Sequence, residues 1–285
     1  MFAQSQRLYT EAWSEYALLD AGHGQKLERW GDIITIRPDV NAYFKPAWAM
    51  SEWLGQAHWR FIETSKQAGE WQALKPSAPK QWQIHYQALT FQLELTPFKH
   101  LGLFPEQHSN WNFLQQQLKP ETRFLNLFAY TGAASCVARH SGAETLHVDS
   151  VKALITWANT NQKLSGLSDI KSINEDTLKF VEREVKRQRQ YDAILMDPPA
   201  WGLGAKREKW KLEHKLELLI QNVQQLLKPK GLLIINTYSP SVSLADLQQL
   251  AKAYFHNKQI KVSELWMKST THKDLYYGNV LRAWA

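Results

Sequence analysis

The sequence predicts an α/β fold: a seven-stranded, mostly parallel sheet with a reversed C-terminal strand, preceded by a small, mainly antiparallel β domain. Three observations carry this. From about Glu121 short apolar runs alternate with helical stretches, the pattern of right-handed crossovers and a parallel sheet. The last two apolar runs, Ile260 to Met267 and Tyr277 to Trp284, have only a turn-like link between them, which fits an antiparallel pair because a parallel partner needs a longer crossover. Before residue 97, strand-like runs are punctuated by hairpin signals.

In the first region, residues 1–97, Tyr16 to Asp20, Lys26 to Trp30 and Ile33 to Arg37 are separated by Gly22-His-Gly24 and Gly31-Asp32. Trp59 to Glu63, Gln81 to Tyr86 and Leu89 to Leu95 continue the pattern, with Lys75 to Pro79 as a loop. In the second region, residues 98–285, the strands are Arg123 to Phe128, Thr145 to Val148, Ile170 to Ile173, Tyr191 to Met196 and Leu232 to Asn236. Between the last two, Leu212, Leu216, Leu219, Val223 and Leu226 recur at steps of three and four, giving a helix with one apolar stripe.

Composition narrows the classes. A hydrophobic share of 44% and a charged share of 21% are those of a folded soluble chain. No run approaches the about 18 apolar residues of a membrane span, and Met1 to Arg7 lacks a signal-peptide core. Cys136 is the single cysteine, so no internal disulfide forms, and a reducing cytoplasm is the simplest setting. The ten histidines are scattered without metal-ligand spacing, so no metal is expected. A net charge of +7 favours an anionic partner. Most of the 13 tryptophans are expected in packing roles, with a few free to stack on bases. The oligomeric state is not legible.

In open α/β sheets, ligands collect beyond the carboxyl ends of the strands, and the polar residues there deserve weight. Phe128-Ala-Tyr-Thr-Gly-Ala-Ala-Ser135 follows the first strand, and its small residues let a backbone approach a ligand. The same residues also suit a plain strand-to-helix turn. A single glycine leaves the dinucleotide fingerprint absent. Asp149, after the second strand, can accept both hydroxyl protons of a ribose or cap a helix. Asp176, after the third, can accept from an adenine amino group or likewise cap. Asp197-Pro-Pro-Ala-Trp-Gly202 follows the fourth. Its prolines present carbonyls without N–H groups, and Trp201 offers a flat face. Such a turn can orient an amino or ring nitrogen as nucleophile; the competing reading is a rigid loop with a core tryptophan.

In this order the Asn126–Gly132 turn, Asp149, Asp176 and the Asp197-Pro-Pro turn resemble the class I S-adenosylmethionine (SAM)-dependent methyltransferases, across residues 98–285. The stretches Leu95 to Gln107, Asn126 to Gly132 and Asp197 to Gly202 further resemble a bacterial group related to the 23S ribosomal RNA cytosine-C5 methyltransferases. The resemblance implies a Rossmann-like sheet with SAM as cofactor. Asn126 and the turn from Phe128 through Tyr130 to Gly132 would hold its methionine part, Asp149 the ribose, and Asp176 the adenine edge. Phe104, Glu106 and Gln107 match an element that enters the cofactor pocket. Asp197, Pro198 and Trp201 would line the acceptor site, with Asp197 also near the cofactor.

One departure excludes a chemistry. Relatives that methylate C5 carry a cysteine after the fifth strand, where this chain reads Asn236-Thr-Tyr-Ser-Pro240. C5 attack needs that thiolate, so nitrogen and oxygen acceptors remain. The expected function is methylation of a base in RNA, ribosomal RNA included, with Lys206, Arg207 and Trp210 guiding the substrate. Two other readings stand beside it: an inactive nucleic-acid-binding protein on this fold, and a methyltransferase of a protein or small molecule.

Overall fold

The computed structural model describes residues 6–64, 68–203 and 209–285, in two compact units. One comprises Met1–Leu8, Asn110–Leu265 and Tyr277–Ala285, the other Tyr9–Ser109 and Trp266–Tyr276.

After β1 (Arg7–Thr10), which belongs to the large sheet, the chain builds the smaller unit around β2 (Tyr16–Gly22), β3 (Gln25–Trp30), β4 (Ile33–Pro38), β5 (Trp59–Glu63) and β6 (Gly69–Ala73). These form a five-stranded sheet in that order. It is antiparallel apart from the β4–β5 pair. A short helix, α1 (Met50–Gln56), and a separate antiparallel hairpin, β7 (Gln81–Tyr86) and β8 (Leu89–Glu94), complete it. Glu28 is a buried charge that is paired here. Arg37 donates to both carboxylate oxygens of Glu28, at 2.7 and 2.8 Å. Burial works to raise the Glu28 carboxyl, but Arg37 and Lys26 beside it hold it below its ordinary value. The expected boundary at residue 97 falls inside the segment Tyr9–Ser109. Trp266–Tyr276 joins this unit from the far end of the chain: the Thr271 hydroxyl donates to Asp20 at 2.7 Å, and Asn41 donates to the Tyr276 carbonyl at 2.7 Å.

The chain re-enters the larger unit within α2 (His108–Gln117), at Asn110. It then alternates β9 (Arg123–Leu127), α3 (Ala133–His140), β10 (Glu144–Asp149), α4 (Lys152–Leu164), β11 (Lys171–Asn174), α5 (Thr177–Lys186) and β12 (Tyr191–Met196). A small antiparallel pair, β13 (Trp201–Leu203) with β14 (Lys209–Lys211), precedes α6 (Leu212–Leu226) and β15 (Leu227–Thr237). Then come α7 (Leu244–Phe255), β16 (Gln259–Met267) and β17 (Leu275–Trp284). The sheet order is β1-β16-β17-β15-β12-β9-β10-β11. The run from β11 to β15 is parallel, and β17 is antiparallel to β15. This is the expected Rossmann-like sheet with its reversed strand, plus an eighth strand, β1. Exposure along β1 falls steadily from Arg7 to Thr10 without alternating, so the period-two signal of a strand is absent and β1 escapes a sequence reading.

Alternation along the strands fixes which residues face a ligand. Leu125 and Leu127 of β9, Ile194 and Met196 of β12, and Leu233 and Ile235 of β15 enter one apolar core. Leu212, Leu216, Leu219, Val223 and Leu226 of α6 pack into that core, each stabilising by roughly 1.5–3 kcal/mol. Asn126, between the two leucines, and Asn236, next after Ile235, therefore fall on the opposite face, and Asp197 is the first residue past Met196 at the end of β12.

Candidate active site

The loop leaving β9 has a special backbone. Phe128, Tyr130 and Gly132 take positive φ values of 54°, 52° and 86°. For the two residues with side chains this costs about 1–2 kcal/mol each, and such strain persists only where neighbours over-determine it. They do here. The Tyr130 N–H donates to Asp149 Oδ2 at 2.9 Å, and Asn161 Nδ2 donates to the Thr131 carbonyl at 2.9 Å. Gly132 is close-packed as well: a Cβ there would lie 3.0 Å from the Ala158 Cβ.

Asp149 ends β10 and is 7% exposed. Its other oxygen accepts from the Val151 N–H at 2.9 Å. A carboxylate offers about four lone-pair sites, so capacity to accept from a further donor remains. Burial pushes its carboxyl up, against the backbone N–H groups of Val151, Tyr130 and Ser150. Asp176 caps α5, its Oδ1 accepting from the Lys179 N–H at 3.1 Å. Capping and ligand contact are compatible, since Oδ2 is not used by the cap.

Strand register aligns these groups. His147 pairs with Asn126, and Leu195 pairs with both Asn126 and Ile234. The next residues on that face are Asp149, Asp197 and Asn236, on β10, after β12 and on β15. Asp149 and Asp197 are thus two strand spacings apart, about 10 Å, with the β9 loop between them. The turn after β12, Asp197 to Ala200, has part of its hydrogen-bonding capacity taken up by the protein. The Pro199 carbonyl accepts from Trp210 Nε1 at 2.6 Å, and the Ala200 carbonyl from the Leu212 N–H at 3.1 Å. Among the described residues no backbone N–H donates to the Pro198 carbonyl.

Other expected site residues are placed as follows. Trp201 is 48% exposed on β13. Trp210 lies on β14, its ring 5.3 Å from that of Phe128. Lys206 and Arg207 lie outside the described residues. Asn126 is 2% exposed, and its Nδ2 donates to Ser135 Oγ at 2.9 Å rather than opening to the loop. Ser135 Oγ is in turn 3.0 Å from His147 Nδ1, whose ring burial lowers to about 4. In the smaller unit Glu106 and Gln107 sit on the turn Pro105–Gln107, at 4% and 6% exposure. Phe104 is edge-on to His100. Burial pushes the Glu106 carboxyl up to about 7.

Cys136 is fully buried, and burial pushes its thiol up to about 12, so it is no nucleophile. Sequence reading passed over Asn236. It is 1% exposed, and neither its Nδ2 nor its Oδ1 has a hydrogen-bond partner among the described residues, a cost of roughly 1–3 kcal/mol per atom. The available signal was an amide ending the apolar run Leu232-Leu-Ile-Ile235.

The sequence model of the family described as "S-adenosylmethionine-dependent methyltransferase" matches residues 33–254. The crystal structure of the SAM-dependent methyltransferase from Agrobacterium tumefaciens superposes with a TM-score of 0.90 and 31% identity, over 100% of this chain and 97% of that one. A SAM-dependent methyltransferase from Streptococcus mutans, at 17% identity, shares the fold with a TM-score of 0.76 over 95% of this chain and 75% of its own. The ribosomal RNA large subunit methyltransferase K/L of Methylococcus capsulatus is 34% identical over 151 residues, covering 52% of this chain. The matched stretch spans only 20% of that relative's length.

Proposed function

The chain belongs to the SAM-dependent methyltransferase family, and from that premise we propose that it methylates a nitrogen of a base in RNA. The observation that carries this reading is the alignment of Asp149, the β9 loop and Asp197 along the carboxyl edge of one sheet face. SAM supplies a methyl group already activated by its sulfonium. The protein's task is then alignment, for which positioning contributes up to roughly 7–11 kcal/mol in well-oriented systems.

Asp149 holds the ribose hydroxyls with its remaining lone pairs. Asp176 accepts from the adenine edge while its Oδ1 continues to cap α5. The Phe128–Gly132 loop, strained into shape before any ligand arrives, fixes the methionine part. Phe104, Glu106 and Gln107 are assigned to the cofactor by sequence resemblance. On the acceptor side the Asp197 carboxylate and the Pro198 carbonyl orient the incoming nitrogen, with Trp201 against its ring. Trp210 helps fix the acceptor turn by holding the Pro199 carbonyl.

RNA as substrate is supported by the net charge of +7 and by relatives named for ribosomal RNA. Nitrogen is favoured over carbon because the only cysteine is buried in α3. Incubation with methyl-tritiated SAM and a lysate from cells lacking the protein tests the assignment. Label is expected in material destroyed by ribonuclease and resistant to protease. Label confined to protein or small metabolites, or SAM binding with no transfer, would overturn it.

A further inference from the structure

Asn236 makes a residue-level assignment of the acceptor possible. Both polar atoms of its amide are buried without partners among the described residues, and buried groups left in this state point to a role that folding alone does not explain. Its location gives that role a direction. Met196 of β12 pairs with Ile235 of β15, so Asp197, the first residue past β12, whose N–H still donates to the Leu127 carbonyl of β9, follows one member of the pair and Asn236 of β15 the other. Met196 and Ile235 both enter the apolar core, which turns Asp197 and Asn236 to the same opposite face.

Resting on the reading above, we infer that Asn236 is a specificity-determining residue. Together with Asp197 it recognises an exocyclic amino group beside a lone-pair-bearing ring nitrogen, and that amino group is the methyl acceptor. Adenine, cytosine and guanine carry this arrangement; uracil and the ribose hydroxyls do not.

The chemistry follows from what each side chain offers. An ionised carboxylate only accepts, whereas an amide both accepts and donates. Asp197 takes one N–H of the amino group and Asn236 Oδ1, in place of the Pro198 carbonyl, takes the other, while Asn236 Nδ2 donates to the ring nitrogen. Two acceptors each about 2.9 Å from one planar amino nitrogen stand about 5 Å apart. Neighbouring strands are spaced by about 4.8 Å, so adjacent strand ends suit this clamp. With both N–H bonds held in the ring plane, attack occurs perpendicular to it. The nitrogen–methyl bond forms as the sulfur–methyl bond breaks, the sulfur leaves as a neutral thioether, and one amino proton passes to the Asp197 carboxylate.

The test compares wild type with Asn236→Leu and Asn236→Ser in the full-length protein. Three quantities are measured: S-adenosylhomocysteine (SAH) affinity by calorimetry, the thermal midpoint, and tritiated methyl transfer into RNA from cells lacking the protein. Asn236→Leu removes an unsatisfied buried amide, so its midpoint is expected to equal or exceed that of wild type. SAH affinity should hold within about threefold for both variants, while transfer falls by about 50-fold or more. Digestion of RNA labelled by wild type should yield a nucleoside methylated on its exocyclic nitrogen. If Asn236→Leu fails to fold, Asn236→Ser decides alone. Variants that transfer as fast as wild type, variants that lose SAH binding, or a ring-nitrogen, carbon or ribose product would overturn the inference while leaving an RNA methyltransferase in place. Wild type that binds SAH yet labels no RNA would overturn both.

Discussion

Glu106 and His147 show how burial turns single residues into pH-sensitive elements. Burial raises the Glu106 carboxyl from 4.5 to about 7, against the opposing influence of Lys26 and Arg37. Between those values the folded chain keeps a proton that the unfolded chain has released, so stability falls as pH rises through the window. The full effect is about 3 kcal/mol. His147 acts in the opposite sense. Burial lowers its ring from 6.5 to about 4, so its contribution is lost as pH falls through that window. The two overlap, and the difference between wild type and Glu106→Gln isolates the carboxyl. Thermal unfolding from about pH 5 to about pH 8 should show Glu106→Gln gaining on wild type as pH rises; a constant difference would contradict the assignment. Placement was legible in the sequence where strand ends decide it, as for Asp149 at the end of β10 and Asp197 just past β12. Asn126 shows the limit. Its place within the first strand was readable, but its bond to Ser135 depends on packing between β9 and α3.

Single elements were legible in proportion to the length of their pattern. The α6 stripe and the strands of the parallel sheet were readable because apolar periodicity runs through them. The β13–β14 pair was not: three residues on each side carry no period, and Trp210 reads from sequence as part of a basic cluster. The start of α5 was half legible. Asp176 fits both a cap and an adenine contact, and the structure establishes the cap. Two substitutions separate its roles. Asp176→Ala removes the cap and should cost about 1 kcal/mol of stability. Asp176→Asn retains a capping oxygen, so thermal unfolding should stay close to wild type while SAH affinity, measured by calorimetry, falls. Unchanged SAH affinity in Asp176→Asn would restrict the residue to its structural role.

At the scale of the molecule, the alternation of strands and helices predicted the large sheet, and the hairpin signals predicted the smaller antiparallel one. The extent of the smaller unit was not readable, because Trp266–Tyr276 joins it through partners such as Asp20 and Asn41, far away in the chain. What the sheet does for function is to bring residues distant in sequence to one edge, in the lateral order β10, β9, β12, β15. Asp149 is the member that joins the two tasks proposed for that edge, bracing the loop through Tyr130 and receiving the ribose. Calorimetric titration of SAH into wild type and Asp149→Ala tests this most directly. Wild type should bind saturably, and Asp149→Ala, having lost a charged acceptor, should bind at least about tenfold more weakly. No saturable binding by wild type at millimolar SAH, or equal affinity in the two proteins, would contradict it.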